Sequence, residues 1–476
     1  MKLAVYSLLL LHFLLPDRSL AQAKPEFRGV WIATVDNIDW PSKGNYNSDS
    51  QKVEFIRILD MHQRNGMNAM IVQIRPVTDA FYPSPYEPWS EFLTGRQGRP
   101  PMPYYDPLEF MISETHKRGM EFHAWMNPYR AVFNVSTSSI APNHITRIHP
   151  EWFLTYGDRR YFDPGNKEVQ QYVTNVVKDV VSRYPVDAIH FDDYFYPYRI
   201  PGKEFPDNAS YKQLGNGMSK EDWRRSNVDS IIRMLSTAIR ETNPRCQFGI
   251  SPFGVWRNED KDPINGSKTK GAQTNYDDLY ADILLWLRNG WIDYVAPQLY
   301  WEFGHRVAPY EVLLDWWSKH TYGRQLYIGH AAYKIANSPN DANWNQAGQI
   351  SRQIALNRAN PNINGSIYYS LKPLLRNPLG IRDSLINVQY KLPALMPGMA
   401  TLAKVPPATP QICRVKGSPS SVKLAWQVCD ILSGEEMPYY FAIYRFDGEA
   451  IGDMRDPYNL LVTTPFYSEK WIFEDQ

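Results

Sequence analysis

Two adjacent carboxylates, Asp192 and Asp193, offer the clearest chemistry in this sequence. They lie within the run Val186–Pro197, which begins as an apolar strand and ends among aromatic side chains. Carboxylates at the end of a buried strand are costly to desolvate unless they have a partner or a task. A carboxyl group can act as a general acid or a general base, and aromatic rings can stack on the apolar faces of sugars. The run therefore favours chemistry at a glycosidic bond.

The elements that must position these acids alternate between strand-like and helix-like patterns. The predicted strands are Arg28–Thr34, Ala69–Pro76, Glu121–Pro128, Ala188–Tyr194, Gln247–Gly254, Tyr294–Trp301, Gln325–Tyr333 and one within Ile363–Leu375. The predicted helices are Asp49–Gly66, Pro107–Gly119, Asn166–Tyr184, Asp222–Asn243, Asp278–Gly290, Tyr310–Gly323, Trp344–Asn360 and Leu379–Tyr390. Eight strand–helix pairs predict an α/β fold, a (β/α)₈ TIM barrel over residues 25–390. The alternative is an open doubly wound sheet, which usually carries a glycine-rich phosphate loop, and we find no such loop.

A change of composition follows the predicted barrel. Residues 391–410 form a proline-rich linker, and residues 411–476 alternate like the strands of a small all-β sandwich. A tryptophan in an early strand and a later Tyr-x-x-Tyr-Arg resemble a fibronectin type III module, which usually has seven strands. The sequence ends where the last strands of such a module are expected, so we interpret it as truncated. Cys413 and Cys429 could pair within it, and the spacing leaves that pairing open.

The first residues predict export. Lys2, an apolar run and an A-x-A pattern at residues 21–23 are typical of a secretory signal covering residues 1–23. The apolar run is too short to span a bilayer, and no later stretch is long enough to do so. We therefore expect a protein without a membrane span that is periplasmic or extracellular after cleavage of the signal.

Charge and metal-ligand patterns exclude other classes. The 51 basic and 50 acidic residues nearly balance, which argues against a nucleic-acid partner. No Cys/His cluster has zinc-ligand spacing. We expect no cofactor and no metal, although Asp36 and Asp39 could hold calcium in a loop. The expected partner is a glycan polymer, and the oligomeric state is left open.

Strand alternation at the barrel mouth separates the two aspartates. Active residues of such barrels gather at the C-terminal strand ends. Because side chains alternate along a strand, Asp192 should face the barrel axis. Asp193 should point away as a supporting group unless the strand has already ended before it. Glycoside hydrolysis commonly needs two carboxyl groups about 5–10 Å apart, and Glu302 on the sixth strand is the candidate for the second. The competing interpretation is an ion pair between Asp192 and Arg75 that stiffens the mouth.

The same strand ends provide the remaining candidates. Asp192, Asp193 and Glu302 are the catalytic candidates, and Arg130 could bind a substrate carboxylate or pair with a loop acid. The candidates for substrate binding are Arg75, Trp125, Asn127, Tyr129, Arg130, Tyr194, Gln298, Tyr300 and Trp301. Their aromatic members would shape the sugar subsites.

Five motifs resemble the glycosyl hydrolase-like 10 family of bacterial envelope proteins. They are Phe27–Ile32, His123–Arg130, His190–Pro197, Gly249–Gly254 and Ala296–Trp301. The resemblance runs from about Pro25 to Tyr390. It implies a barrel with glycosidase activity on peptidoglycan glycan strands that have lost their peptide stems, and a fibronectin-like module can follow the barrel in such proteins.

The fourth strand also resembles the chitinase-type family 18 signature, Asp-x-x-Asp-x-Asp-x-Glu. Asp187 and Asp192 fit that pattern, whereas His190 and Tyr194 replace its second Asp and its Glu. That Glu is the general acid of family 18, so the resemblance implies that the acid comes from elsewhere, and Glu302 is the first choice. The alternatives are a carbohydrate-binding barrel without turnover and a hydrolase of dietary or host polysaccharide.

Overall fold

The computed structural model describes residues 25–338, 341–398, 407–418, 421–428, 438, 440–447, 450–465 and 471–475. The predicted signal at residues 1–23 and the predicted pairing of Cys413 with Cys429 lie outside what is described. Among the described residues, no helix combines the length and the apolar character needed to cross a bilayer.

Eight parallel strands close into a barrel, which confirms the predicted fold. The barrel strands in chain order are β1 Phe27–Ile32, β2 Ala69–Arg75, β3 Glu121–Met126, β7 Ala188–Phe191, β8 Gln247–Ile250, β9 Tyr294–Val295, β10 Gln325–His330 and β11 Gly365–Tyr368. The other strands of the described residues are β4 Arg130–Val132, β5 Phe153–Tyr156, β6 Arg159–Phe162, β12 Gln411–Ser418, β13 Ser421–Gln427, β14 Tyr440–Tyr444, β15 Leu460–Pro465 and β16 Trp471–Asp475. The barrel order is β1-β11-β10-β9-β8-β7-β3-β2. Strands β4, β5 and β6 form a small antiparallel sheet in the loop after β3, and the sequence patterns did not predict it.

Helices surround the barrel in the alternation expected of this fold. They are α1 Ser48–Arg64, α2 Glu91–Thr94, α3 Pro107–His116, α4 Ile145–Ile148, α5 Lys167–Arg183, α6 Asn208–Leu214, α7 Lys220–Thr242, α8 Asn275–Asp278, α9 Ile283–Arg288, α10 Tyr310–Lys319, α11 Gln349–Ala359, α12 Leu371–Arg376 and α13 Ile381–Ser384. Helix α5 shows why such a segment is helical. Asn166 caps its first turn by accepting a hydrogen bond from Glu168 N, and its valines form one buried face. The helix ends before Tyr184, whose backbone is extended because Pro185 follows it.

The strands that position the site are shorter than predicted, among them β7, β9 and β8, which ends at Ile250 rather than Gly254. Strand β7 ends at Phe191 rather than Tyr194, and β9 covers only Tyr294–Val295. Pro297 has no N–H to continue the ladder after β9, and Gln298 makes only isolated bridges. The residues with the candidate chemistry therefore lie in loops at the strand ends.

The C-terminal strands pair antiparallel, as an all-β region requires. Strands β12, β13 and β16 form one sheet, and β14 and β15 form another. The linker at residues 391–410 and the assignment of residues 411–476 to a fibronectin type III-like module stay predictions.

Aromatic rings fill the barrel interior below the mouth. Phe27, Trp31, Tyr294 and Tyr327 belong to this inner cluster. The Tyr294 hydroxyl lies 2.9 Å from His123 Nδ1 and 2.8 Å from His190 Nδ1. These contacts fix the tyrosine ring at the barrel axis, beneath the acids.

Replacing Gly249 with alanine is expected to destabilise the barrel by about 3 kcal/mol or more, at the upper end of overpacking effects. A Cβ at this position would lie 1.9 Å from Tyr294 Cζ, and two histidine contacts hold that ring in place. Urea unfolding measures the loss. Gly398→Ala is the matched control, because nothing lies within 4 Å of its Cβ. Equal stability of the two variants would contradict this packing.

Candidate active site

A pocket of about 390 Å³ opens at the C-terminal ends of the barrel strands. Its lining consists of Trp31, Trp125, Asp192, Asp193, Tyr194, Tyr198, Ser251, Phe253, Gln298, Tyr300, Trp301, Tyr333, Lys334 and Tyr369. Most of these side chains are aromatic, and two are carboxylates. Rings that frame two acids suit a sugar ring whose glycosidic oxygen must meet a proton donor.

Asp192 is held by donors from β3 and the loop after it. Trp125 Nε1 donates to Asp192 Oδ2 at 3.1 Å, and Asn127 Nδ2 donates to Oδ1 at 3.1 Å. Burial raises the pKa of Asp192 above its usual value, while the charge of Arg130 and these donors oppose the shift. The hydrogen bonds and the nearby guanidinium favour the ionised carboxylate and fix its direction.

Asp193 lines the same pocket, which is the alternative expected if the strand ends before it. Strand β7 ends at Phe191, so the alternation of side chains stops before the two acids. Burial raises the pKa of Asp193 to about 7, and the charge of Asp192 adds to the rise. Tyr198 Oη donates to its Oδ2. Of the two acids, Asp193 is the one whose pKa favours a proton near neutral pH.

Five of the predicted substrate-binding residues line the pocket. They are Trp125, Tyr194, Gln298, Tyr300 and Trp301. Asn127 and Arg130 lie behind this surface and support Asp192. Asn127 Oδ1 accepts from Arg130 N at 2.8 Å, and the Arg130 guanidinium lies 5.6 Å from the centre of the Tyr194 ring.

Arg75 and Tyr129 are buried away from the pocket lining. Arg75 Nε donates to Glu87 Oε2 at 2.8 Å, so its carboxylate partner is Glu87 and the alternative ion pair with Asp192 is not formed. Arg75 Nη1 also donates to the carbonyl oxygen of Asn127. Arg75 therefore positions the loop that carries Asn127.

Glu302 does not belong to the pocket lining. Its carboxylate is buried and its Oε2 accepts from Trp344 Nε1 at 3.1 Å. The catalytic role expected for Glu302 stays a prediction, and this placement gives it no support.

Comparison with known proteins shows the family of this chain. The profile of the glycosyl hydrolase-like 10 family matches residues 26–346. The chain belongs to this family. It is 48% identical over 441 residues to Glycosyl hydrolase YngK of Bacillus subtilis strain 168, an alignment that covers 91% of this chain and 85% of that protein.

A second relative of this glycosyl hydrolase-like 10 protein is Glycosyl hydrolase DigH of Escherichia coli K12. The two are 42% identical over 378 residues, or 74% of this chain and 85% of that protein. Among solved structures, the PgaB (BpsB) glycoside hydrolase domain from Bordetella bronchiseptica aligns with a TM-score of 0.46 and 13% identity, over 76% of this chain and 99% of that one. The family match and the two relatives YngK and DigH confirm the prediction of a glycoside hydrolase.

Several pocket residues of this glycoside hydrolase were missed by the sequence analysis. They are Trp31, Tyr198, Tyr333, Lys334 and Tyr369, whereas Ser251 and Phe253 lie at a strand end, where active residues were expected. Trp31 is the second-last residue of β1, so the strand-end rule could have found it. Tyr333 and Lys334 lie in a short turn after β10, where no periodicity indicates direction.

Loop acids outside the pocket have protein partners. Asp39 Oδ1 accepts from Ser370 Oγ at 2.9 Å, and its Oδ2 accepts from Ala33 N at 2.9 Å. Asp36 lies 3.4 Å from Lys43 Nζ. In the part of the chain that the structure describes, no three His, Cys, Asp or Glu side chains group as metal ligands do. The calcium alternative at Asp36 and Asp39 therefore gains no support.

Proposed function

We propose that this glycoside hydrolase is exported and cleaves the glycan strands of peptidoglycan or a related N-acetylhexosamine polymer. The observation that carries the proposal is the pair of buried acids in an aromatic pocket, of which Asp193 has a pKa of about 7. Asp193 is the proposed general acid, and Asp192 is the proposed carboxylate that stays ionised. This assignment moves the acid from Glu302 to Asp193.

In the proposed reaction, protonated Asp193 donates its proton to the glycosidic oxygen as the bond from that oxygen to the anomeric carbon breaks. The leaving chain departs as an alcohol. Positive charge develops on the sugar ring, and the Asp192 carboxylate stabilises it from the position that Trp125 and Asn127 fix. Water then adds to the anomeric carbon and returns a proton to Asp193.

Two features support the choice of polymer and compartment. The motifs from Phe27 to Trp301 resemble those of enzymes that act on glycan strands without peptide stems. The signal-like segment at residues 1–23 supports export to the compartment that holds this polymer. The mature protein is proposed to begin after residue 23, and mass spectrometry of the exported protein tests that.

The rate at saturating substrate is expected to fall about tenfold per pH unit above neutral pH. Asp193 must carry its proton to act as an acid, and its pKa of about 7 means that this form is lost as pH rises. A pH profile of kcat measures this fall in rate. A profile that stays flat from pH 6 to pH 9 would contradict the acid role.

Digestion of a polysaccharide panel tests the proposed substrate. Purified sacculi, sacculi stripped of stem peptides by an amidase, chitin oligosaccharides and plant or host polysaccharides are incubated with the enzyme, and the new reducing ends are identified by mass spectrometry. Cleavage of the stripped glycan strands is the expected result. Cleavage of only plant or host polysaccharide would overturn the proposed polymer and favour the alternative substrate class.

A further inference from the structure

Lys334 is the one cationic side chain among the described residues that line the pocket. It lies in the turn after β10 and is partly buried. Its Nζ donates to the carbonyl oxygen of Tyr300 at 2.6 Å and lies 5.5 Å from the centre of the Trp344 ring. These two contacts hold the ammonium at the edge of a pocket that otherwise contains only negative charge.

The protein contacts of Lys334 leave it able to bind an anion. The carbonyl of Tyr300 takes one of the three ammonium protons, and no carboxylate of a described residue forms an ion pair with it. Burial lowers the pKa of Lys334, and the charges of Glu302 and Asp341 oppose this shift without forming an ion pair with it. The Glu302 carboxylate instead accepts from Trp344 Nε1. The ammonium therefore keeps donors for a ligand.

We propose that Lys334 forms a subsite for a carboxylate carried by the glycan. This inference rests on the proposed function and names the substituent that the pocket recognises. An anionic sugar entering beside Asp192 and Asp193 would be repelled by any negative charge there, and a fixed ammonium offsets that repulsion. The ring of the neighbouring Tyr333 packs against that of Tyr300, with 5.8 Å between the ring centres, and provides an aromatic wall beside the subsite.

In peptidoglycan the carboxylate is the lactyl group of N-acetylmuramic acid. An attached stem peptide converts this group to a neutral amide, and removal of the peptide restores the charge. A cation at the subsite would therefore distinguish glycan strands without stems from strands that keep them. The selectivity arises from the charge of the substituent, in addition to any steric exclusion of the peptide.

Paired substrates with one chemical difference test this subsite. Stem-free glycan strands are prepared with their lactyl carboxylates free, and a second portion is amidated with a carbodiimide and methylamine. The wild-type enzyme is expected to show a KM for the amidated strands that is roughly tenfold or more above that for the free strands. In Lys334→Gln this ratio is expected to fall close to one. Lys334→Arg keeps the charge and is expected to retain the preference.

Lys372→Gln is the matched control. Its Nζ also donates to a backbone carbonyl, that of Asn37 at 3.3 Å, but it lies outside the pocket lining. It should keep the wild-type ratio. Equal KM values of the wild-type enzyme for both substrates, or an unchanged ratio in Lys334→Gln, would overturn the subsite while leaving the proposed function intact. Failure of the wild-type enzyme to cleave either substrate would instead overturn the proposed function.

Discussion

Replacing Asp193 with asparagine is expected to lower kcat by roughly 10²- to 10⁴-fold, the usual contribution of a general acid. The amide has the same shape and cannot donate the proton that the glycosidic oxygen needs. The fold should remain, because the substitution removes a buried charge whose ionisation burial already opposes. The decline of kcat above neutral pH should also disappear, because the variant lacks the carboxyl group that causes it. Initial rates on stem-free glycan strands and circular dichroism together measure both effects.

The two acids can be distinguished by the leaving group. A nitrophenyl glycoside needs little proton donation, so Asp193→Asn should lose far less activity on it than on the polymer. Asp192→Asn should lose activity on both, because charge on the sugar ring develops with either leaving group. Asp49→Asn, an exposed acid on α1, serves as the matched control and should keep the wild-type rate. Near wild-type turnover of the polymer by Asp193→Asn would return the search for the acid to other carboxyl groups, Glu302 among them.

Replacing Glu87 with glutamine is expected to destabilise the protein by about 3–5 kcal/mol, the usual loss when one partner of a buried ion pair is removed. Arg75 and Glu87 are both fully buried and make two parallel hydrogen bonds, Nε to Oε2 at 2.8 Å and Nη2 to Oε1 at 2.5 Å. The substitution would leave the guanidinium charge buried without its counter-ion. Urea unfolding monitored by tryptophan fluorescence measures the loss.

The same substitution should also reduce activity, because Arg75 holds the loop that positions Asp192. Arg75 contacts the Asn127 carbonyl, and Asn127 donates to Asp192. The double variant Arg75→Met, Glu87→Met should regain much of the stability, since two apolar residues leave no unpaired charge. Asp315→Asn removes the partner of an exposed pair with Lys319 and should change stability by less than about 1 kcal/mol. Similar losses for Glu87→Gln and Asp315→Asn would refute the role of burial.

The order of elements was predictable because it depends on local periodicity. The buried valines of α5 and the apolar runs of the barrel strands repeat at the spacing that each element requires, and eight such pairs leave a closed barrel as the simplest arrangement. The position of Asp192 followed from the same logic, since it comes directly after a strand whose C-terminal end must lie at the mouth. The aromatic side chains of Trp125 and Tyr300 were placed by that rule as well.

Partners chosen across long sequence separations were not predictable. Arg75 was considered as a partner of Asp192, but the loop after β2 brings Glu87 to it. Glu302 was expected at the bond to be cleaved, but Trp344, 42 positions later in the chain, takes its carboxylate. Such choices depend on how loops fold over the strand ends, and loop backbones have no periodicity from which a direction can be deduced.

The sequence by itself determined the barrel, its family resemblance and the presence of acids at the end of the fourth barrel strand, β7. The tertiary structure decided which acids share a pocket, because β7 ends at Phe191 and its alternation no longer turns Asp193 away. It also brought Lys334 to the pocket edge from a short turn after β10. Periodic patterns report which way a side chain faces only while the strand or helix lasts. The chemistry of this protein lies just past that limit, where packing between loops sets direction, burial and pKa.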